Sequence, residues 1–251
     1  MYKLIGSKMK ATQNLFNAYK NNIPIFQSVL DGNYEGVVLV DKESKPTWAV
    51  LQTPVGHHFV AGNPIKNEIL EDILFNQILK TQEEKQLIVF SPSDDWQLLL
   101  ESIFLPRKGF IVPRKIFSFS YESYCKVDNW QNKMPENAEM IITKEHCDPF
   151  CIKNEWVAKL MLEGVCLSIC SAPMVGGGYA EIDIKTNPDF QKKGYGTLTA
   201  LALIQQLIQQ SLIPCWSSWP EKTASQAIAK KVGFLPQADV NAWVWDEHNC
   251  T

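Results

Sequence analysis

At 251 residues with 45% hydrophobic side chains, the chain can fill the core of one large α/β domain or two small ones, which excludes a disordered or low-complexity protein. A net charge of -3, with lysines interspersed among acids, argues against a nucleic-acid partner, and no run reaches the roughly 18 apolar residues of a membrane helix. Residues 1–16 lack an apolar leader core, and seven cysteines scattered through apolar segments predict buried free thiols in a cytoplasmic protein.

In chain order, residues 36–41, 46–53 and 57–61 are short strand-like runs separated by Gly, Pro and charged residues, which predicts an antiparallel meander. A helix is expected over about 66–80, with Ile69, Ile73, Leu74 and Ile78 on one face. A strand at 86–90, a helix at 93–104 and an alternating strand at 115–121 follow. Beyond a polar stretch at 126–139 the order repeats: strands at 165–171 and 179–186, a helix at 198–211, a strand at 213–217, a helix starting near Pro220 and a strand at 241–245. Arg107, Lys108, Gly109 and Phe110 are mirrored by Lys230, Lys231, Val232, Gly233 and Phe234. The repetition favours two related α/β halves, residues 1–128 and 138–251, over one continuous sheet whose order repeats by coincidence.

The chemistry concentrates between the strand at 179–186 and the following helix. Asn187, Pro188 and Asp189 end the strand, and Gln191, Lys192, Lys193, Gly194, Tyr195, Gly196 and Thr197 lead into the apolar stripe Leu198, Leu201, Ile204 and Ile208. A glycine turn at a helix N-terminus leaves backbone N–H groups aimed outward at the positive end of the helix dipole, a receptor for phosphate oxygens. The alternative is a plain tight turn with solvated lysines. The nucleotide loop with Gly-Lys before Ser or Thr is absent, and the dinucleotide fingerprint lacks its third glycine, where Leu198 and Thr199 stand.

Strand, Gln191-x-x-Gly194-x-Gly196, helix resembles the pyrophosphate-binding motif of the GNAT acyltransferase superfamily. Residues 214–234 resemble the superfamily's next strand, helix and closing Gly-Phe, and are similar to zwittermicin A resistance-type acetyltransferases. The resemblance implies a mixed α+β sheet of the α/β class with the acyl-CoA N-acyltransferase fold, and acetyl-CoA as co-substrate without a metal. It implies backbone contacts to the pantetheine arm from Ile184 and Thr186, with Lys185 between them. Gln191, Lys192, Lys193, Gly194, Tyr195, Gly196 and Thr197 would then cover the pyrophosphate. The first half would be a diverged copy, since no glycine pair precedes its helix near residue 67.

Glu181 is the candidate general base, on the strand where several superfamily members place a carboxylate. Glu181 and Asp183 share one sheet face while Ile182 and Ile184 point to the other, and burial raises a carboxyl pKa toward that of a useful base. The competing reading makes both acids the solvent side of the strand. Lys222 stands where the superfamily often has Asn and is a candidate phosphate partner. Ser225, one turn on, is a candidate pantetheine contact. Ala229 replaces the usual tyrosine general acid, which motivates a non-catalytic coenzyme A sensor as the alternative to an N-acetyltransferase. His146, Cys147 and Cys151 lack the spacing of a structural zinc site. The expected partner is a small-molecule amine; neither its identity nor the oligomeric state is written in the sequence.

Overall fold

The computed structural model describes residues 1–81, 85–127 and 129–249; Asp128 and Thr251, the expected ends of the two halves, and Cys250 lie outside them. The chain forms two compact units. The first opens with β1 (Tyr2–Leu4), a 3₁₀ stretch (Gly6–Ala18) and α1 (Ile23–Leu30). The expected meander follows as β2 (Val37–Val40), β3 (Trp48–Gln52) and β4 (His57–Gly62), each antiparallel to the one before.

The helix over 67–81 is interrupted: α2 (Asn67–Glu71) passes through a π-helical segment (Asp72–Ile78) into α3 (Leu79–Thr81). The wider π turn rotates the apolar face, so Leu70 is buried whereas Ile69, expected inside, is 44% exposed. β5 (Gln86–Phe90) then pairs parallel with β4, α4 (Asp94–Phe104) follows, and β6 (Phe110–Phe119) begins. One sheet face packs Val50, Val60 and Val89 against Leu70, Ile73, Leu74, Trp96 and Leu100 of the helices. The other is covered by stacked and edge-on rings of Phe16, Tyr19, Phe26, Phe59 and Phe90.

The second unit starts at Lys115, inside β6, and adds α5 (Tyr121–Cys125), β7 (Ala138–Glu145), β8 (Glu155–Leu162), β9 (Val165–Gly176) and β10 (Tyr179–Thr186). It closes with α6 (Tyr195–Gln209), β11 (Ile213–Ser218), α7 (Thr223–Lys231) and β12 (Phe234–Pro236). β7 to β10 run antiparallel in sequence, and β10 pairs parallel with β11. α6 is buried on most of its circumference against Ala158, Cys170, Ala172, Ala180 and Ile182. Gly233, at φ +101°, ends α7; a Cβ there would lie 2.8 Å from Tyr124 backbone atoms, so glycine is required twice over.

The last strand, β13 (Val240–Asp246), returns to the first unit and lies between β5 and the first half of β6. In the second unit the latter half of β6 holds the corresponding place, between β11 and β12. The first unit is thus completed by a strand from beyond its own run of sequence, whereas the second places its opening residues, 115–119, in that position. The units divide at Arg114 and Lys115, and the polar stretch at 126–139 lies inside the second.

Candidate active site

The parallel ladder between β10 and β11 is short. Tyr179, Ala180 and Glu181 pair with Ile213, Pro214 and Cys215, and there pairing stops. β10 continues to Thr186 and β11 to Ser218, so the strands fork, and past Glu181 only β9, among the described residues, pairs with β10. A bulge promotes the divergence: between Glu181 and Asp183 on β10, β9 runs from Met174 to Ser171, one residue more, and includes Pro173, which has no N–H to give the ladder. The β11-facing edge of residues 182–186 is left without a strand partner.

Beyond Thr186 the chain makes the predicted turn. Asn187 accepts through its side chain from the Asp189 N–H, and Pro188–Phe190 form a 3₁₀ turn. Lys192 (φ +62°) and Gly194 (φ +85°) are both left-handed. Gly194 is the N-cap of α6, so the helix begins at Tyr195, earlier than its apolar stripe indicates, and the Gly196 and Thr197 amides belong to its first turn. Leu198 N–H makes the first helical bond, to the Gly194 carbonyl, leaving the three preceding amides of the helix without an intrahelical acceptor.

The two glycines have different reasons. At Gly194 a Cβ would meet nothing within 4 Å, and the backbone angle is what requires glycine. At Gly196 a Cβ would lie 2.9 Å from Thr186 Oγ1 and 3.0 Å from Ile228 Cδ1, so its bare Cα lets α6 approach β10 and α7. Gln191, Lys192 and Lys193 are exposed, Tyr195 packs beside Leu198, and the Lys193 ammonium sits 5.0 Å from the Phe190 ring centroid.

On the sheet face away from α6, Glu181 is half-buried and Asp183 and Lys185 are exposed, while Ile182 and Ile184 pack into the core. Ser217 on β11 donates a hydrogen bond to Glu181 Oε1, linking the two strands where they part. Sequence reasoning ended a strand at Ser217 but gave its side chain no role. β11 instead runs through Ser218, and α7 starts at Thr223 with exposed Lys222 as N-cap. The Cys215 thiol, opposite Glu181, is pushed well up by burial and then by the carboxylate, so it stays protonated.

Half-buried Ser225 accepts at Oγ from the Trp216 indole at 3.0 Å, and Trp216, 2% exposed and edge-on to Phe234, is core packing. On α7 the inward stripe is Ser225, Ile228, Ala229 and Val232, whereas Ala224 and Ala227 are exposed. Ala229 is fully buried. The six described cysteines are free, but Cys125 and Cys147 are exposed, against the expectation of burial. No three His, Cys, Asp or Glu residues among those described are grouped to hold a metal. No described helix is long and apolar enough to cross a membrane.

The first unit repeats the fork with opposite chemistry. His57, His58 and Phe59 pair with Ile88, Val89 and Phe90, so Phe59 holds the ladder position that Glu181 holds in the second unit. Tyr19 Oη lies 2.7 Å from the Val60 carbonyl oxygen and 2.8 Å from that of Phe90, sharing its one proton between the two strands. Its fork is therefore filled by the chain itself. Residues 63–66 alone connect β4 to α2, and none of them is glycine.

The family model described as GNAT acetyltransferase matches residues 13–163 and again 157–242. A curated protein of Bacillus subtilis (strain 168), the uncharacterized N-acetyltransferase YdfB, is 23% identical over 225 residues, covering 82% of this chain and 84% of its own. Among solved structures, a GCN5-related N-acetyltransferase-like protein from Streptococcus suis 89/1591 superposes with a TM-score of 0.68 at 18% identity, over 96% of this chain and all of that one. A tandem GNAT protein from the clavulanic acid biosynthesis pathway gives 0.60 at 9% identity, over 95% and 92% of the two chains.

Proposed function

The chain belongs to the GNAT acetyltransferase family, and on that premise we propose that it transfers an acetyl group from acetyl-CoA to an amine directly, within a ternary complex in its second unit. The observation that carries the reading is the fork beyond Glu181 and Cys215, followed at once by the Gln191–Gly196 turn at the N-terminus of α6. Amides of residues 192–197 and the positive end of α6 receive the pyrophosphate, with Lys192 and Lys193 adding charge. The pantetheine arm lies in the fork, hydrogen-bonding to Ile184 and Thr186 as a missing strand would. Exposed Lys222 reaches a coenzyme phosphate at the open end of the site, and Ser225 flanks the arm while holding Trp216.

The thioester then emerges where Glu181 and Ser217 meet, on the sheet face opposite α6. The amine attacks the carbonyl carbon there; the C–N bond forms, the C–S bond breaks, and the amine proton passes to Glu181 directly or through a water. Coenzyme A leaves as a thiolate and takes its proton from solvent, since Ala229 offers none. The protonated Cys215 thiol is a poor nucleophile beside the fork, which favours direct transfer over an acyl-cysteine intermediate. Orientation in the fork alone supplies on the order of 7 kcal/mol of the barrier reduction. The likeness of residues 214–234 to zwittermicin A resistance-type enzymes favours a small-molecule acceptor.

Incubating the protein with acetyl-CoA and a panel of amines, while following free thiol, tests the reading. Acceptor-dependent thiol release that collapses in Glu181→Gln is expected. Tight binding with no release for any amine points instead to a coenzyme A sensor.

A further inference from the structure

We propose that Ser217 is a positioning residue for acetyl transfer: its hydroxyl fixes the Glu181 carboxylate across the mouth of the fork, aimed at the attacking amine. The inference rests on the reading of Glu181 as the base. Glu181 is the last residue of β10 paired to β11, and Ser217 lies two positions past its partner Cys215, on the same face of β11. The bond therefore joins strands that no longer share backbone bonds at that level. A glutamate has three side-chain torsions, and half-buried at a strand edge it has alternatives to the productive direction.

Met174 stands opposite Glu181 on β9, and the Ser217 hydroxyl reaches the carboxylate from the β11 side. Main-chain pairing fixes Ser217 itself: it is opposite Ile116 in the antiparallel ladder of β11 with β6, so its hydroxyl is presented by a strand braced on that side. A carboxylate that accepts a hydroxyl proton keeps lone pairs for the amine, whereas a residue that merely filled space here would have no reason to be hydroxylic. The same geometry makes the rate, rather than acetyl-CoA affinity, the quantity at risk, because the pyrophosphate turn is on another segment.

The test is steady-state kinetics on full-length wild type, Ser217→Ala, Ser217→Thr, Glu181→Gln and the Glu181→Gln/Ser217→Ala double variant, using the best acceptor found in the thiol assay. Ser217→Ala is expected to lower kcat about tenfold, the scale of one charge-assisted hydrogen bond, with KM for acetyl-CoA within about twofold. Ser217→Thr should restore most of the loss, and the double variant should be no slower than Glu181→Gln alone. An unchanged kcat in Ser217→Ala, or the same tenfold loss repeated in the Glu181→Gln background, overturns the proposal while leaving Glu181 as base. A Glu181→Gln enzyme at the wild-type rate removes the base assignment and this proposal together. Unaltered acetyl-CoA binding heat in each variant separates these outcomes from misfolding.

Discussion

Removing the first 130 residues should abolish folding of the second unit, although the glycine turn, α6 and Glu181 would all remain. The cut deletes the Lys115–Phe119 part of β6, which pairs with four residues of β11 on one side and with β12 on the other. It takes away Phe117, 5% exposed, and Phe119, whose ring packs 5.3 Å from that of Phe234. A core phenylalanine lost costs about 3–5 kcal/mol, and with half-buried Phe119 added to Phe117 the loss is on the order of 5 kcal/mol or more. That is the size of the whole stability of an ordinary domain, about 5–15 kcal/mol, before the lost ladder and the exposure of Trp216 are added. Fragments 131–251 and 109–251 can be compared by circular dichroism, urea unfolding and acetyl-CoA calorimetry. The longer is expected to retain more native structure, and the shorter to show no cooperative transition and no binding heat. A cooperatively folded 131–251 fragment that binds acetyl-CoA as the full chain does would refute the account of residues 115–119 as an inner strand of the second unit.

Replacing Tyr19 by Phe leaves the Val60 and Phe90 carbonyls without its proton at a cost of about 1–3 kcal/mol, read by calorimetry as a fall in Tm of about 2–4 °C per kcal/mol. Gly194→Ala forces a side chain into a left-handed angle at a cost of about 1–2 kcal/mol, and should raise KM for acetyl-CoA more than it lowers kcat. Burial lowers the His58 pKa to about 3. The unfolded chain, at about 6.5, therefore binds the proton first, and stability present above that pH is lost as pH falls toward 3, by about 2 kcal/mol at pH 5. A His58→Gln variant should show a shallower fall in Tm between pH 7 and 5 than the wild type.

Much of this was legible in the residues because local signals and tertiary packing agree. The strand at 179–186 has its predicted bounds, and its alternation separates Glu181 and Asp183 from the core-facing Ile182 and Ile184. The glycine turn could be read because Gly194 answers a backbone requirement, and backbone requirements leave marks in sequence. What could not be read depends on pairing between distant segments. Nothing in residues 240–246 says that they join β5, and nothing in Ser217 says that Glu181 is within reach, since both follow from strand order. The filled fork of the first unit was invisible for the same reason: Tyr19 meets Val60 and Phe90 only after the 3₁₀ stretch is folded against β4 and β5. The π segment at Asp72–Ile78 likewise escaped periodicity, which assumes a constant 3.6-residue turn.

The most direct measurement is calorimetric titration of the full-length protein with acetyl-CoA, beside a variant in which Lys192 and Lys193 are glutamates. Open in one unit and filled by Tyr19 in the other, the forks predict one equivalent bound per chain, weakened at least tenfold by the charge reversal. Two equivalents, no heat at millimolar acetyl-CoA, or identical affinity in the variant would contradict the account.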